Sequence, residues 1–259
     1  MGSRRWVALA IAGMAAGGWG GTAWGDVRSF AADGGSLAIS GPCARHVTVQ
    51  VDPALRERIA VDATAEHPEE IAQLAVDGRD GAARVELAPD RRQCWRPDPS
   101  GSFRPTLVLT VRIPAGFPVA ISSSGTEDYT LGAVGPLTLS ASGATTLVAD
   151  SVAGDARIEL SGHGDVGIGE LDAALLSADI SGTGSVRVKG GRINRATLSL
   201  SGNGEMRIDP TVGDATVDVS GVGDVVLGGV SGRLTRSVSG MATIMVAGQR
   251  VRNGGGDEN

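Results

Sequence analysis

Apolar and polar residues alternate in short clusters along the second half of the chain, with a spacing of two within each cluster. This spacing is typical of β-strands that bury one face. A Ser-Gly pair follows the clusters at steps of 18 to 20 residues. The seven pairs are Ser124-Gly125, Ser142-Gly143, Ser161-Gly162, Ser181-Gly182, Ser201-Gly202, Ser220-Gly221 and Ser239-Gly240. A repeat of this length indicates a stacked architecture.

The apolar residues keep fixed places relative to each serine. Three positions before it stand Leu139, Ile158, Ala178, Leu198 and Val217, and five positions after it stand Tyr129, Leu147, Val166, Val186, Met206, Val225 and Ile244. Each repeat therefore holds two alternating strands and one short apolar contact. Such a unit buries its apolar face only by stacking on its neighbours. The sequence predicts an all-β fold, a right-handed parallel β-helix or solenoid of about seven short coils, roughly 34 Å long at ~4.8 Å per coil.

Four repeats extend the pair to Ser-Gly-x-Gly, and their glycines are predicted to be structural. These glycines are Gly162, Gly164, Gly182, Gly184, Gly202, Gly204, Gly221 and Gly223. The chain turns between strands at these points, so we expect the glycines to supply positive φ angles. The serines would stack above one another and could hydrogen-bond along the column.

The region 26–120 lacks the repeat but still alternates. Strands are predicted at 46–51, 59–63, 74–76, 84–87 and 107–113, with a turn at 77–81 and a Pro-rich loop at 89–105. The open end of a solenoid needs a cap, so this region is predicted to form the cap and first coils of the same domain. The repeat solenoid then spans 121–248, and the polar, Gly-rich stretch 249–259 is predicted to be a disordered tail.

Residues 1–25 have the pattern of a signal peptide, with Arg4 and Arg5 before a short apolar stretch and a cleavage site at Ala23-Trp24-Gly25. The alternative is an uncleaved anchor, which the glycines at 17–21 disfavour. We expect an exported protein, periplasmic, cell-surface or secreted, without a membrane span after cleavage. In such a protein, Cys43 and Cys94 are predicted to form a disulfide, the alternative being two buried thiols.

The repeat resembles the head GIN domain family, described as autotransporter adhesins of bacteria. The resemblance rests on the run Leu-Ser-Leu-Ser-Gly-Asn-Gly-Glu-Met-Arg-Ile at 198–208, on its equivalents at 158–168, 178–188 and 217–227, and on the strand and proline at 111–114. It covers roughly residues 27–248. It implies a β-helix without catalytic residues and a role in adhesion, and it transfers no functional residues. The first two repeats and the last lack the second glycine, as expected for the ends of a column.

Candidate metal chemistry is confined to a row formed by Asp165, Ser185, Glu205 and Asp224. Stacked acids could bind calcium, which prefers several oxygen ligands. Arg187 and Arg207 lie two residues after Ser185 and Glu205. These arginines favour the interpretation that the acids are solvated turn residues and not calcium ligands. No cofactor or metal is predicted.

Candidate catalytic chemistry lies near one corner of successive coils, at Asp155, Asp172, Asn194 and Asp214, with Arg157 and Arg195 nearby. A polysaccharide lyase would need such carboxylates and a base, but corners also favour Asp and Asn for turn reasons alone. His163 is expected to be exposed at a corner, and His46 and His67 lack a ligand-like partner. The net charge of −6 disfavours nucleic acid as a partner.

These observations predict an exported, non-catalytic adhesion or binding module whose flat faces contact a glycan or an envelope protein. Two alternatives stay open. One is a carbohydrate-active, polysaccharide lyase-like β-helix enzyme, and the other is a structural envelope component that assembles end to end.

Overall fold

The computed structural model describes residues 26–87 and 105–251. The predicted signal peptide, Cys94 and residues 252–259 lie outside this part of the chain. The strands are β1 Asp26–Asp33, β2 Leu37–Ser40, β3 His46–Val51, β4 Arg58–Ala65, β5 Leu74–Arg79, β6 Ala82–Leu87, β7 Val108–Ile113, β8 Val119–Ser123, β9 Thr126–Val134, β10 Leu137–Ala141, β11 Ala144–Ala153, β12 Ala156–Leu160, β13 His163–Ile180, β14 Thr183–Leu200, β15 Asn203–Val219, β16 Val222–Val230, β17 Leu234–Val238, β18 Met241–Val246 and β19 Gln249–Arg250, and a short helix, α1, spans Pro68–Ile71.

The repeats stack as a parallel β-solenoid of about seven turns, as the periodicity predicts. One ladder, here the first ladder, joins β8, β10, β12, the C-terminal parts of β13, β14 and β15, and β17. The second ladder joins β9, β11, the N-terminal parts of β13, β14 and β15, and then β16 and β18. Equivalent residues of successive repeats are direct partners, for example Leu139 with Ile158.

The core is a column of side chains that point into the coils. Every second residue of the ladder strands is buried, including Leu198 and Val217 in the first ladder and Val186 and Val225 in the second. The residues between them are mostly exposed. This alternation follows from the two-residue period of a strand, and it buries apolar surface along the whole stack.

Two further coils precede the repeats, and they do not stack in chain order. The coil formed by β2 and β3 pairs in parallel with β8 and β9 on one side and with β6 and β7 on the other. The β2–β3 coil comes first in the chain, and the β6–β7 coil stacks on one side of it. The chain then passes through residues 114–118, and the β8–β9 coil stacks on the other side of the β2–β3 coil. Strand periodicity carries no information about this order.

Antiparallel strands cover the N-terminal end of the column. β5 pairs with β6, β4 pairs with β7, and β1 pairs with β4. The turn between β5 and β6 consists of Asp80 and Gly81, both with positive φ, which is the arrangement of a tight two-residue hairpin.

Within the part of the chain that the structure describes, the C-terminal end carries a short antiparallel strand, β19, which pairs with Met245 and Val246 of β18. Gln249 and Arg250 are part of this strand, so the prediction of a disordered tail is wrong for these two residues. Among the helices of the described residues, none has the length and apolar character required to cross a membrane.

Candidate binding surface

The Ser-Gly pairs form one edge of the solenoid, where the chain passes from the first ladder to the second. A shallow groove of about 670 Å³ runs along this edge over four coils. We call it the corner groove, and its lining is Ser181–Thr183, Ser201–Asn203, Ser220–Val222 and Ser239–Met241. Each coil contributes a serine, a glycine and a variable residue to this lining. The variable residue changes from polar, at Thr183 and Asn203, to apolar, at Val222 and Met241.

Close stacking, rather than positive φ, explains the glycines of this edge. Of the eight glycines predicted to be structural, only Gly223 has a positive φ, of 148°. A Cβ on Gly202 would overlap the carbonyl oxygen of Gly182 in the preceding coil, and a Cβ on Gly204 would overlap that of Gly184. The expectation of positive φ is therefore wrong for seven of the eight positions. The backbone of one coil fills the space where a side chain of the next would begin.

The backbone at this edge is hydrogen-bonded from coil to coil, whereas several serine hydroxyls are not. The N–H groups of Ser181 and Gly182 both donate to the carbonyl oxygen of Leu160, at 2.9 and 3.1 Å. The Ser161 hydroxyl donates to the carbonyl oxygen of Ala141, at 3.4 Å, and not to another serine. Within the described residues, the hydroxyls of Ser181, Ser201 and Ser220 have no protein partner, so they are available to a ligand in the groove.

Two acids of the row beside the groove, Asp165 and Glu205, have side-chain partners. Ser185 donates to Asp165 at 2.6 Å. Arg187 forms an ion pair with Glu205 at 3.4 Å, and Arg207 pairs with Asp209 at 2.7 Å. A search of 26–87 and 105–251 for three or more His, Cys, Asp or Glu side chains placed to hold a metal ion finds no such group.

The aspartates proposed for carbohydrate chemistry bind the backbone of the following coil instead. Asp155 accepts a hydrogen bond from the N–H of Leu175 at 2.8 Å, and Asp214 accepts one from the N–H of Arg233 at 2.8 Å. Asp172 accepts one from the N–H of Arg192 at 3.2 Å. These carboxylates therefore serve the turns, the role that corner aspartates commonly have. Of the basic candidates, Arg195 lies beside Asp214 in the register of β14 and β15.

The remaining candidates are dispersed. Arg157 pairs with Glu159 on the outer face of the first ladder, at 2.6 Å. His163 is exposed at the Ser-Gly edge, next to Thr183 of the following coil. His46 begins β3, and His67 precedes α1. No pair of these histidines shares a strand or a coil.

A buried polar cluster, which the sequence analysis missed, closes the N-terminal end of the same edge. Glu127 is 3% exposed and points inward. Its Oε2 accepts hydrogen bonds from the hydroxyls of Ser123, at 2.8 Å, and Tyr129, at 2.9 Å. Its Oε1 accepts the N–H of Cys43 at 3.2 Å, and Thr145 donates to the Ser123 hydroxyl at 2.9 Å. The cluster thus links residues near β2 to the first two repeats.

Tyr129 is the only tyrosine of the chain, and its hydroxyl lies inside this cluster. Burial is the main cause that raises the pKa of Tyr129, and the negative charge of Glu127 and its hydrogen bond raise that pKa further. The phenol therefore stays neutral and acts as a donor. The signal that could have revealed the cluster is an acid, Glu127, in the place that later repeats give to a glycine.

A second buried carboxylate braces the N-terminal region. Glu70, in α1, accepts the N–H groups of Thr106 and Leu107 at 2.8 and 3.0 Å, and the Thr106 hydroxyl at 2.6 Å. These bonds fix the start of β7. The predicted disulfide between Cys43 and Cys94 stays a prediction, because Cys94 lies outside the described residues.

Comparison with solved structures finds proteins of similar fold and low sequence identity. The model is similar to the crystal structure of a putative adhesin from Bacteroides fragilis, with a TM-score of 0.60 and 14% identity over 85% of this chain and 96% of that one. A putative adhesin from Parabacteroides distasonis gives a TM-score of 0.56 at 13% identity, over 86% and 97% of the two chains. A putative lipid binding protein from the same species gives 0.52 at 12% identity, over 86% and 97%. At these identities the similarity shows a shared fold. Comparison with curated proteins finds no match.

The family comparison agrees with the resemblance read from the repeats. Residues 131–250 match the family described as "Putative auto-transporter adhesin, head GIN domain". The match begins within the first repeats and leaves out the coils formed by β2, β3, β6 and β7, whose strands lack the Ser-Gly-x-Gly pattern. The resemblance of the repeats to this family is therefore confirmed for residues 131–250.

Proposed function

We propose that this protein is an exported, non-catalytic adhesion or binding module of the cell envelope. The observation that carries the proposal is the repeat solenoid itself, in which the corner aspartates Asp155 and Asp214 accept backbone hydrogen bonds while serine hydroxyls line the corner groove. The family description and the names of the similar structures support a role in adhesion.

The ligand surface proposed here is the corner groove and the faces beside it. Its four coils repeat the same hydroxyl at the strand spacing of ~4.8 Å, so it presents a regular array along the axis. A chain with repeating polar groups, such as a glycan, fits this regularity. The apolar end is formed by Val222 and Met241, which are 45% and 77% exposed. A ligand that is polar at one end and apolar at the other, such as a lipid-linked glycan, would suit the full length.

The test is a binding screen of the chain without its first 25 residues. The screen covers a glycan array, vesicles of neutral and anionic phospholipids, and envelope proteins in pull-down format. We expect binding to at least one class in the micromolar range, and we expect catalytic turnover of none. The absence of binding in all three arms would contradict the proposal.

The groove is tested with a matched pair of substitutions. Ser201→Arg puts a long side chain at the groove, whereas Thr216→Arg puts the same side chain on the exposed outer face of the first ladder. We expect Ser201→Arg to reduce binding at least tenfold and Thr216→Arg to leave it within about twofold. Equal effects of the two would place the ligand elsewhere on the solenoid while leaving the adhesion role intact.

The enzymatic alternative has its own readout. Release of reducing or unsaturated ends from acidic polysaccharides, lost on substitution of Asp155 or Asp214, would overturn the non-catalytic role. Both carboxylates accept backbone hydrogen bonds, so we expect their substitution to lower stability instead.

A further inference from the structure

A second groove lies on the outer face of the first ladder, beside the corner groove. It has a volume of about 370 Å³ and spans β10, β12, β13 and β14. The corner serine Ser181 borders both grooves, so the two form one continuous surface. We call the second one the face groove, and its lining includes Ser140, Arg157, Glu159, Ser177, Asp179 and Ser199.

The face groove carries more negative than positive charge. Glu159 and Asp179 are direct partners in the register of β12 and β13, and both are half-buried on the outer face. Neighbouring strands lie about 4.8 Å apart, and like charges directly opposite each other in a sheet are destabilising. The lining holds these two carboxylates and one guanidinium, so the acids outnumber the bases by one.

The single guanidinium compensates Glu159 and leaves Asp179 without a cation. Arg157 donates from both Nε and Nη2 to Oε1 of Glu159, at 2.9 and 2.6 Å. In the part of the chain that the structure describes, no basic side chain forms an ion pair with Asp179. A half-buried carboxylate attracts a cation more strongly than one in open water. The groove is therefore complementary to a ligand with a positive charge.

Hydroxyl groups surround the two carboxylates. The hydroxyls of Ser140, Ser177 and Ser199 form no hydrogen bond with the described protein residues, so they can both donate to a ligand and accept from it. We propose that the face groove binds an amino sugar of an envelope glycan, with its free ammonium group between Glu159 and Asp179. The ammonium forms charge-assisted hydrogen bonds with the carboxylates, and the ring hydroxyls reach the serines.

The groove fits an amino sugar better than it fits a metal ion or a neutral sugar. Calcium prefers several oxygen ligands, and residues 26–87 and 105–251 contain no group of three or more acid, His or Cys side chains placed to hold an ion. An N-acetylated sugar lacks the positive charge and would leave Asp179 uncompensated. The inference rests on the proposed function, for which it names a chemical class of ligand and a second site.

The experiment compares two trisaccharides of glucosamine with the same backbone, one with free amines and one fully N-acetylated. Calorimetric titration of the purified protein is done at slightly acidic pH, where the amines carry protons. We expect the free-amine trisaccharide to bind at least tenfold more tightly, and we expect high salt to reduce the difference because exposed charges are screened. Equal affinity for the two trisaccharides, or no binding of the free-amine one, would overturn the proposal.

Three near-isosteric or neutralising substitutions locate the site. Asp179→Asn removes the uncompensated charge and should weaken binding of the free-amine trisaccharide at least fivefold. Arg157→Gln removes the competing cation and should strengthen it about threefold. Asp218→Asn, on the same outer face but outside the groove, should leave it within about twofold. Equal losses in Asp179→Asn and Asp218→Asn would overturn the proposal, because the general charge of the surface would then explain binding.

Ser201→Arg separates this inference from the proposed role of the corner groove, because Ser201 lines the corner groove and not the face groove. We expect this variant to keep its affinity for the free-amine trisaccharide. If Ser201→Arg loses the trisaccharide while Asp179→Asn keeps it, the ligand lies in the corner groove. That result would overturn the amino-sugar site and leave the proposed function intact.

Discussion

The same inward position at the Ser-Gly edge is filled in two different ways along the solenoid. In the first two repeats it holds Glu127 and Thr145, whereas in the next four it holds glycine, from Gly164 to Gly223. The glycine coils approach so closely that backbone meets backbone. The first two coils instead enclose a polar cluster that reaches back to Cys43.

The difference shows that regular stacking and attachment of a dissimilar region have different requirements. Identical coils repeat one close contact, which glycine alone permits. At the junction with β2 and β3 the contacts no longer repeat, and side chains must satisfy the buried polar groups. A buried carboxylate with three donors is suited to this task because it joins the N–H of the distant Cys43 to two hydroxyls close to it in sequence, those of Ser123 and Tyr129.

The largest effect is expected from breaking the glycine contact in the middle of the stack. Gly204→Val places a branched side chain against the carbonyl of Gly184, and we expect a loss of about 3 kcal/mol or more in unfolding free energy. The matched control is Gly167→Ala, whose Cβ would meet nothing within 4 Å. Its effect should stay within about 0.5 kcal/mol. Urea unfolding followed by circular dichroism measures both, and equal losses would show that close stacking is not the reason for glycine.

The next effect is expected at the polar junction. Glu127→Ala leaves the N–H of Cys43 and the hydroxyls of Ser123 and Tyr129 without their acceptor, which should cost about 2 kcal/mol. Asp128→Ala, on the exposed side of the same strand, should change the unfolding free energy by less than about 0.5 kcal/mol. If both variants unfold at the same urea concentration, the cluster does not stabilise the junction.

The buried cluster of Glu127 and Tyr129 also makes the free energy of unfolding depend on pH in the alkaline range. The pKa of Tyr129 is raised in the folded protein, so its neutral form stabilises the fold at pH values below the ordinary tyrosine pKa of about 10. This contribution is lost as pH rises from there toward the folded pKa. Because the chain has a single tyrosine, phenolate absorbance reports it alone, and we expect the absorbance to rise together with unfolding.

Glu127→Gln separates the causes of this shift. It removes the negative charge while burial remains, so the pKa of Tyr129 should fall below that of the unchanged protein and stay above the ordinary value. Ionisation of Tyr129 near its ordinary pKa in the folded, unchanged protein would contradict the buried cluster.

The smallest effect is expected at the edge of the cluster. Thr145→Val keeps the shape of the side chain and removes its hydrogen bond to the Ser123 hydroxyl, which should cost about 1 kcal/mol. Thr146→Val, on the exposed side of β11, is the control and should be close to neutral. Thermal unfolding distinguishes the two, and a larger loss in the control would contradict this account.

Much of the fold could be predicted because the same spacing of apolar residues relative to the Ser-Gly pair recurs in successive repeats. The positions of Leu198 and Val217 relative to their serines anticipate that they are partners in adjacent coils. The site was less predictable. The corner groove follows from the Ser-Gly edge, but the buried contacts of Glu127 include the N–H of Cys43, which is 84 residues away in the sequence.

The sequence by itself determined the solenoid, its coil length and the face that each repeated side chain takes, since strand alternation and a fixed repeat leave one way to bury the apolar residues. Only the tertiary structure decided that the coil of β2 and β3 lies between those of β6–β7 and β8–β9, and that close backbone contact is why the edge needs glycine. These features depend on which segments meet in space. Periodicity along the chain records the orientation of side chains, and it does not record the order in which dissimilar coils are stacked.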